Sequence, residues 1–232
     1  MRSSGISKTT TSRTVSSSGF MNKVYLFMTL GLLVSAAIAY YFHIHPLLTR
    51  SLMASPILFY GVVFAQLGAV LLFSRMVTTL NTQASFILFF VYAALTGVTF
   101  GMISFAYTAQ NIGYAFAITA GSFLGLSVIG YTTKKDLSPI GSFCMMGLIG
   151  LVIESLLAIF IPGLRGNTIE LAMAAIGVLV FSGLTAYHTQ KIKNMGYEMQ
   201  NQEVAAINGA FILYLDFINL FLSILRFFGN RR

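Results

Sequence analysis

The sequence predicts an all-α integral membrane protein with seven transmembrane helices, the last of them central and ringed by the other six. Of its 232 residues, 56% are hydrophobic and 9% are charged, whereas soluble domains carry about 25% charged residues. Seven apolar stretches are long enough to cross a hydrocarbon core of about 30 Å. The seventh stretch carries Asp216 near its centre, and a carboxylate at that depth must face protein or water rather than lipid.

The chain divides into a short tail and one membrane domain. Residues 1–20 are rich in Ser and Thr and basic, with no apolar run before a small-residue cleavage site. This pattern predicts a disordered cytoplasmic tail rather than a signal peptide. The membrane domain is expected over 21–232. Its seven predicted spans cover about residues 24–42, 57–74, 85–106, 112–131, 140–161, 169–188 and 207–228.

The first three spans contain mainly packing signals. His43 and His45 lie in the link after span one, but a metal site needs more ligands than two, so we interpret them as interfacial histidines. Arg75 closes span two. Span three has Gly97 and Gly101 at GxxxG spacing, which is common where membrane helices approach closely.

The distribution of Lys and Arg predicts the orientation. With the N-terminus in the cytoplasm, the inner segments hold nine of these residues and the outer segments five, as the positive-inside rule requires. Three of the five, Arg226, Arg231 and Arg232, lie at the C-terminus, which seven spans place outside. Six spans with a re-entrant last segment would remove that conflict. We prefer seven, because 207–228 is long enough to cross.

The net charge of +8 does not indicate nucleic-acid binding, because the basic residues are scattered at span ends, where lipid headgroups lie. The single cysteine, Cys144, excludes an internal disulfide. We also expect no enzyme and no resident cofactor. The sequence has no HExxH, GxSxG or phosphate-loop motif, and a single Asp within a span falls short of the pair that an aspartyl intramembrane protease needs.

Four ionisable residues lie in or at the ends of apolar spans, and such residues are functional candidates by default: Arg75, Glu154, His188 and Asp216. His188 and Asp216 are on adjacent spans, although span six must continue past His188 for them to meet. Histidine titrates at about pH 6.5, so the pair is expected to be joined at acid pH and loosened at neutral pH. The alternative is a structural role for Asp216 in a helix contact with Asn219 and Asn208.

Three stretches resemble the Bax inhibitor-1 (transmembrane Bax inhibitor motif) family, and its bacterial inner-membrane branch in particular. They are GYTTKKDLSPIGSF at 130–143, VFSGLTAYHTQKIKNMG at 180–196 and GAFILYLDFINLFLSILRFFGNRR at 209–232. The resemblance covers about residues 20–232. It implies seven helices, with the last one central between two three-helix layers, in the inner membrane.

The resemblance also implies a function. Some members of the family are pH-sensitive calcium leak channels whose sensor is a pair of aspartates, assisted by an arginine. Asp216 matches the aspartate of the seventh helix, and Arg75 matches the arginine. Glu154 and Asn219 are further auxiliary candidates, and Asp216 is a candidate Ca²⁺ contact, with calcium or another cation as the permeant ion.

This chain departs from the family pattern at one position. Where the family has the aspartate of the sixth helix, in a Tyr-Asp-Thr-Gln context, this sequence has Tyr187-His188-Thr189-Gln190. Calcium prefers oxygen ligands, so a His–Asp pair is expected to attract it less than two aspartates do. The resemblance leaves a second reading, a non-conducting regulatory protein that modulates a membrane-bound AAA protease or another membrane complex.

Overall fold

The structure, a computed structural model, describes residues 17–76, 82–161, 166–198 and 201–228. Most of the predicted tail, residues 1–16, lies outside this range, and the first helix begins at Ser17. No β-strand occurs in the described ranges. The described helices are α1 (Ser17–Ile44), α2 (Pro46–Ala54), α3 (Pro56–Met76), α4 (Thr82–Ile103), α5 (Ala109–Thr132), α6 (Ser138–Phe160), α7 (Asn167–Glu198) and α8 (Gln202–Phe227).

Seven of these helices, all except α2, are long and apolar enough to cross a membrane. The seven-span prediction is therefore confirmed. The last of them, α8, is one continuous helix of 26 residues, not a re-entrant segment. Such a length corresponds to about 39 Å at 1.5 Å per residue, which exceeds the hydrocarbon thickness.

The short helix α2 occupies a stretch that the hydropathy pattern predicts to be a link between spans one and two. Pro46 stands at its first turn, where a missing N–H costs nothing. Ser55, held extended before Pro56, ends it, because the residue before a proline avoids the helical region. The Thr49 hydroxyl donates to the Phe42 carbonyl oxygen at 2.7 Å, so α2 is tied back to the end of α1.

The helices form two groups of three around α8. In one group α4 packs between α1 and α3, and in the other α7 packs between α5 and α6. Within the described ranges, α8 packs along α1, α4, α5 and α7. The central position of the last helix is confirmed, but in the described ranges only four of the other six spans pack along its backbone. The outer helix α3 contacts α8 through Phe73, whose ring centroid lies 4.1 Å from the ring centroid of Phe211.

Small residues allow the closest helix approaches. A Cβ atom added to Gly97 would lie 2.7 Å from the Ser35 carbonyl oxygen, and one added to Gly101 would overlap Phe42. The GxxxG pair of α4 is therefore a packing motif against α1, as its spacing predicts.

The bundle has two ends. We call the end with the first residues of α1 and α8 the proximal end, and the end with their last residues the distal end. The helices α1 and α8 are parallel and α7 runs antiparallel to α8, so the last residues of α7 lie at the proximal end. The 133–137 link lies at the same end. Under the predicted orientation the proximal end faces the cytoplasm.

Candidate functional site

The site is a contact between α7 and α8. His188 Nδ1 lies 2.7 Å from Asp216 Oδ2, and the Asp216 residue is only 4% exposed. The contact exists because α7 continues past His188 as far as Glu198, as the sequence analysis required. Asn201 then caps α8 by accepting a hydrogen bond from the Val204 backbone N–H at 3.2 Å, and the chain returns antiparallel.

The charge of this pair depends on one proton. A histidine protonated at both nitrogens forms an ion pair with the carboxylate, and the site is neutral overall. Loss of that proton leaves a neutral imidazole and one uncompensated negative charge. Because a buried charge without a partner is costly, the state of this proton affects how strongly α7 is held against α8.

Three hydroxyl groups come together at Thr189, the residue that follows His188 in the sequence. Ser127 of α5 and Thr189 of α7 are buried, and their hydroxyl oxygens have no hydrogen-bond partner among the described residues. The Tyr25 hydroxyl of α1 lies near both of them, but neither contact reaches hydrogen-bond geometry. The site thus continues into a group of under-bonded hydroxyls where α1, α5 and α7 meet.

Beyond these hydroxyls, basic and polar groups of α7 hold the proximal end together. The Lys193 ammonium donates to the Tyr131 carbonyl oxygen at 2.9 Å and lies 4.6 Å from the centre of the same residue's ring. Gln190 donates to the Lys135 carbonyl oxygen at 2.8 Å and accepts from the Leu137 N–H at 2.9 Å. Two residues from His188, α7 is therefore fastened to the link between α5 and α6.

Asp136 lies in that link, outside the spans. Its side chain accepts a hydrogen bond from the Ser138 backbone N–H at 2.9 Å. Bonds from the Ser138 side chain and backbone lower the pKa of the Asp136 carboxyl below its usual range. This carboxylate is therefore ionised at every pH near neutrality.

The other predicted site residues do not join the pair. Asn219 Nδ2 donates to the Leu215 carbonyl oxygen of its own helix at 2.8 Å. Glu154 is half-buried on α6, and among the described helices α6 packs on α7 alone. Arg75 lies in the last turn of α3, but its side chain is outside the described residues.

The structure also shows polar contacts at residues that are not among the predicted site residues. Ser35 and Tyr214 form a second polar contact. Gln190 forms the hydrogen bonds that join α7 to the link between α5 and α6. Tyr214 stands two residues from Asp216, which was the available signal. The sequence contains no comparable signal for Ser35, because a serine in a membrane helix usually bonds to its own helix.

The remaining histidines are at the distal end. His43 Nδ1 lies 3.0 Å from the Ser104 hydroxyl, and His45 donates to the Tyr41 carbonyl oxygen at 2.8 Å. Both are exposed. Across the described ranges, no three His, Cys, Asp or Glu side chains come together as a metal site. A Ca²⁺ contact at Asp216 stays a prediction.

The fold and the site together define a class, a seven-helix membrane protein whose central helix carries a buried carboxylate bonded to a histidine. Residues 17–232 match the model of the family described as "Inhibitor of apoptosis-promoting Bax1". The chain is 43% identical to inner membrane protein YbhL of Escherichia coli over 92% of both chains. It is 42% identical to an uncharacterized protein of Rickettsia prowazekii over 92% of this chain and 90% of the other.

The chain therefore belongs to the Bax inhibitor-1 family. It is also 39% identical to an uncharacterized protein of Borreliella burgdorferi, again over 92% of both chains. The names of these relatives describe no chemical reaction, and the expected absence of catalysis stays a prediction.

Proposed function

We propose that this protein is a pH-sensitive leak channel for calcium or a similar cation, gated by the contact between His188 and Asp216. The observation that carries the proposal is the 2.7 Å contact at a buried position of the central helix. When the histidine is protonated, the ion pair holds α7 against α8. When the proton leaves, the contact is weakened and the path beside α8 opens. Flux is thus expected to rise from pH 6 to pH 8.

The identity of the surrounding groups supports histidine as the pH-sensitive element. The helices packed around the pair contribute the phenols Tyr25 (α1), Tyr92 (α4), Tyr131 (α5), Tyr187 (α7) and Tyr214 (α8), together with Lys191 and Lys193 of α7. Phenols and ammonium groups ordinarily titrate near pH 10. Histidine is the side chain whose ordinary pKa lies between pH 5 and pH 8.

The chemistry of the pair favours a permeant ion over a bound one. Ca²⁺ takes six to eight oxygen ligands, and the pair offers one carboxylate. A histidine in place of a second aspartate also removes one negative charge from the site. We therefore expect weaker calcium flux than a pair of aspartates at the same positions would support.

The proposed location is the inner membrane, with the N-terminus in the cytoplasm. The name of the Escherichia coli relative places that protein in the inner membrane, and the distribution of Lys and Arg favours a cytoplasmic N-terminus. His188 lies four residues before Ile192 and five before Lys193 on α7, near the proximal end. The histidine would then respond to cytoplasmic pH.

The test is calcium uptake into proteoliposomes at pH 6 and pH 8. Wild-type flux should be greater at pH 8. Asp216→Asn should remove most of the pH dependence, because an amide forms no ion pair. His188→Asp should change the dependence and raise the flux at pH 8, since two carboxylates repel each other.

Glu154→Gln is the matched control, because it also neutralises a carboxylate within a span but on α6, away from α8. It should leave the flux unchanged. Flux that is independent of pH in the wild type, or equal effects of Glu154→Gln and Asp216→Asn, would contradict the proposal. Silence of all variants in reconstituted vesicles would favour the second reading, a regulatory protein of a membrane protease or another membrane complex.

A further inference from the structure

A cavity of about 500 Å³ lies in the distal half of the bundle, between α1, α4, α5 and α8. It exists because the backbones of α1 and α4 stay apart from that of α5 along its described length, although the Tyr25 side chain of α1 reaches α5 at the proximal end. The volume is in the range of small-molecule pockets, about 300–1,000 Å³. Phe217 and Ile218 of α8 form part of its wall, directly after Asp216 in the sequence. Phe221 and Leu225 continue that wall toward the distal end.

The wall of the cavity is apolar and carries almost no charge. Among the residues that the structure describes, no Asp, Glu, Lys or Arg lines it, and His43 is the one nitrogen-bearing side chain in the wall. The Ser35 hydroxyl is already bonded to the Ala93 carbonyl oxygen at 2.7 Å, and the Ser104 hydroxyl to that of Gly101 at 2.7 Å. Water needs two to four polar partners in a cavity. This wall offers few, and it offers a cation no counter-charge.

The opening of the cavity faces the hydrocarbon of the bilayer. The cavity is partly open, and its exposed lining residues include Ala36 and Tyr40 on α1 and Phe116 on α5. Phe116 lies in a span and is 52% exposed, which places lipid beside the opening. The polar groups of Tyr40, His43 and Tyr107 stand at the distal rim. An occupant must therefore be apolar within the cavity and polar at the distal end.

We propose that this cavity binds one acyl chain of a membrane phospholipid, which enters between α1 and α5. The chain lies against Phe217, Ile218 and Phe221, and the headgroup stays at the distal rim near Tyr40 and Tyr107. Tyrosine is suited to that place, because its ring is apolar and its hydroxyl remains with polar groups. The inference rests on the cavity and its position in the membrane, not on the proposed leak.

The experiment uses the absence of tryptophan from the chain. Phe221→Trp places a fluorescent reporter at the cavity, and Phe100→Trp places a second one there from α4, so that one misfolded variant does not decide the outcome. Each variant is reconstituted in vesicles of phosphatidylcholine with or without bromine on the acyl chains. Bromine quenches a tryptophan that it touches. Both reporters should lose fluorescence in the brominated vesicles.

Two variants calibrate that loss. Phe143→Trp is the lipid-facing reference, at a position that is 73% exposed on α6, and it should be quenched. Phe211→Trp is the matched buried reference, because Phe211 is on α8 like Phe221 and is 4% exposed against 6%, yet it does not line the cavity. It should keep its fluorescence.

Filling the cavity separates binding from general access. Ala39→Phe, which adds a ring to the α1 side of the wall, should abolish the quenching of Phe221→Trp and leave that of Phe143→Trp unchanged. Unquenched cavity reporters would overturn the proposal, and so would equal quenching of Phe211→Trp and Phe221→Trp. Quenching of the cavity reporters by aqueous iodide instead of brominated lipid would also overturn it, since the cavity would then hold water.

Discussion

The hydroxyl groups of Ser35 on α1 and Tyr214 on α8 lie 2.7 Å apart at a site where both residues are buried. Ser35 Oγ also lies 2.7 Å from the Ala93 carbonyl oxygen of α4. A serine hydroxyl has one proton, so when it donates to Ala93 the tyrosine must donate to Ser35. This arrangement joins α1, α4 and α8 through one oxygen atom, and its residue on α8, Tyr214, stands two positions before Asp216.

Ser35→Ala should destabilise the bundle more than Tyr214→Phe. The first change removes the Ser35 acceptor from the buried Tyr214 hydroxyl and costs about 1–2 kcal/mol. The second leaves Ser35 bonded to Ala93 and should cost less than about 1 kcal/mol. Unfolding of the purified protein in detergent micelles measures both. Ser51→Ala, on the exposed face of α2, is the control and should have little effect; a larger loss with Tyr214→Phe than with Ser35→Ala would contradict the bonding pattern.

Gly130 of α5 is required by the backbone of α7. A Cβ atom added there would overlap the Ala186 carbonyl oxygen and lie 3.0 Å from Thr189 Cβ. Gly130→Ala should therefore push α5 away from α7, at a cost of about 1–3 kcal/mol.

Gly125 is the matched control on the same helix, because no atom of the described residues beyond its own helix backbone lies within 4 Å of its added Cβ. Gly125→Ala should be neutral or stabilising by up to about 1 kcal/mol, since alanine is the better helix former. Thermal unfolding of the two variants side by side measures the difference. Equal melting temperatures would show that α5 and α7 are not in this close contact.

Gln190 should protect the link between α5 and α6. Gln190→Ala removes both of its bonds, to Lys135 and to Leu137, and should accelerate hydrogen exchange of the Leu137 amide about tenfold, which corresponds to about 1.4 kcal/mol. Gln190→Glu retains an acceptor for Leu137 and should have a smaller effect. Lys134→Ala, at an exposed side chain of the same link, should leave the exchange unchanged. Slow exchange in Gln190→Ala would mean that other contacts hold the link.

Asp136→Asn should leave the pH dependence of flux between pH 6 and pH 8 unchanged. The Ser138 side chain and backbone N–H lower the pKa of this carboxyl. Its contribution to stability is thus complete above the unfolded value of about 3.9 and is lost only as the pH falls through the lower folded value. His188→Gln, measured in the same assay, should flatten the dependence. If Asp136→Asn shifted the pH dependence of flux, the pH sensor would lie in the link between α5 and α6 rather than on α7.

Much of the site could be predicted from residue types, because polar residues are rare within apolar membrane spans. Asp216 stands out in an apolar stretch, and the continuation of α7 past His188 follows from the lack of Pro or Gly before Gly196. Ser35, Gln190 and the distal cavity were not accessible in this way. A serine in a membrane helix usually bonds to its own helix, and a glutamine near a span end is an ordinary polar residue. The cavity is the space left where the backbones of α1 and α4 do not approach that of α5.

Composition and hydropathy by themselves determined the membrane class, the number of spans and the burial of the last helix, because lipid tolerates neither unpaired backbone groups nor an exposed carboxylate. Only the tertiary structure decided which helices touch α8, that α6 keeps Glu154 away from Asp216, and that His188 lies within 2.7 Å of it. Those outcomes depend on the rotation and close approach of each helix. Apolar side chains surround every helix here, so the hydropathy pattern carries little information about which face meets which neighbour.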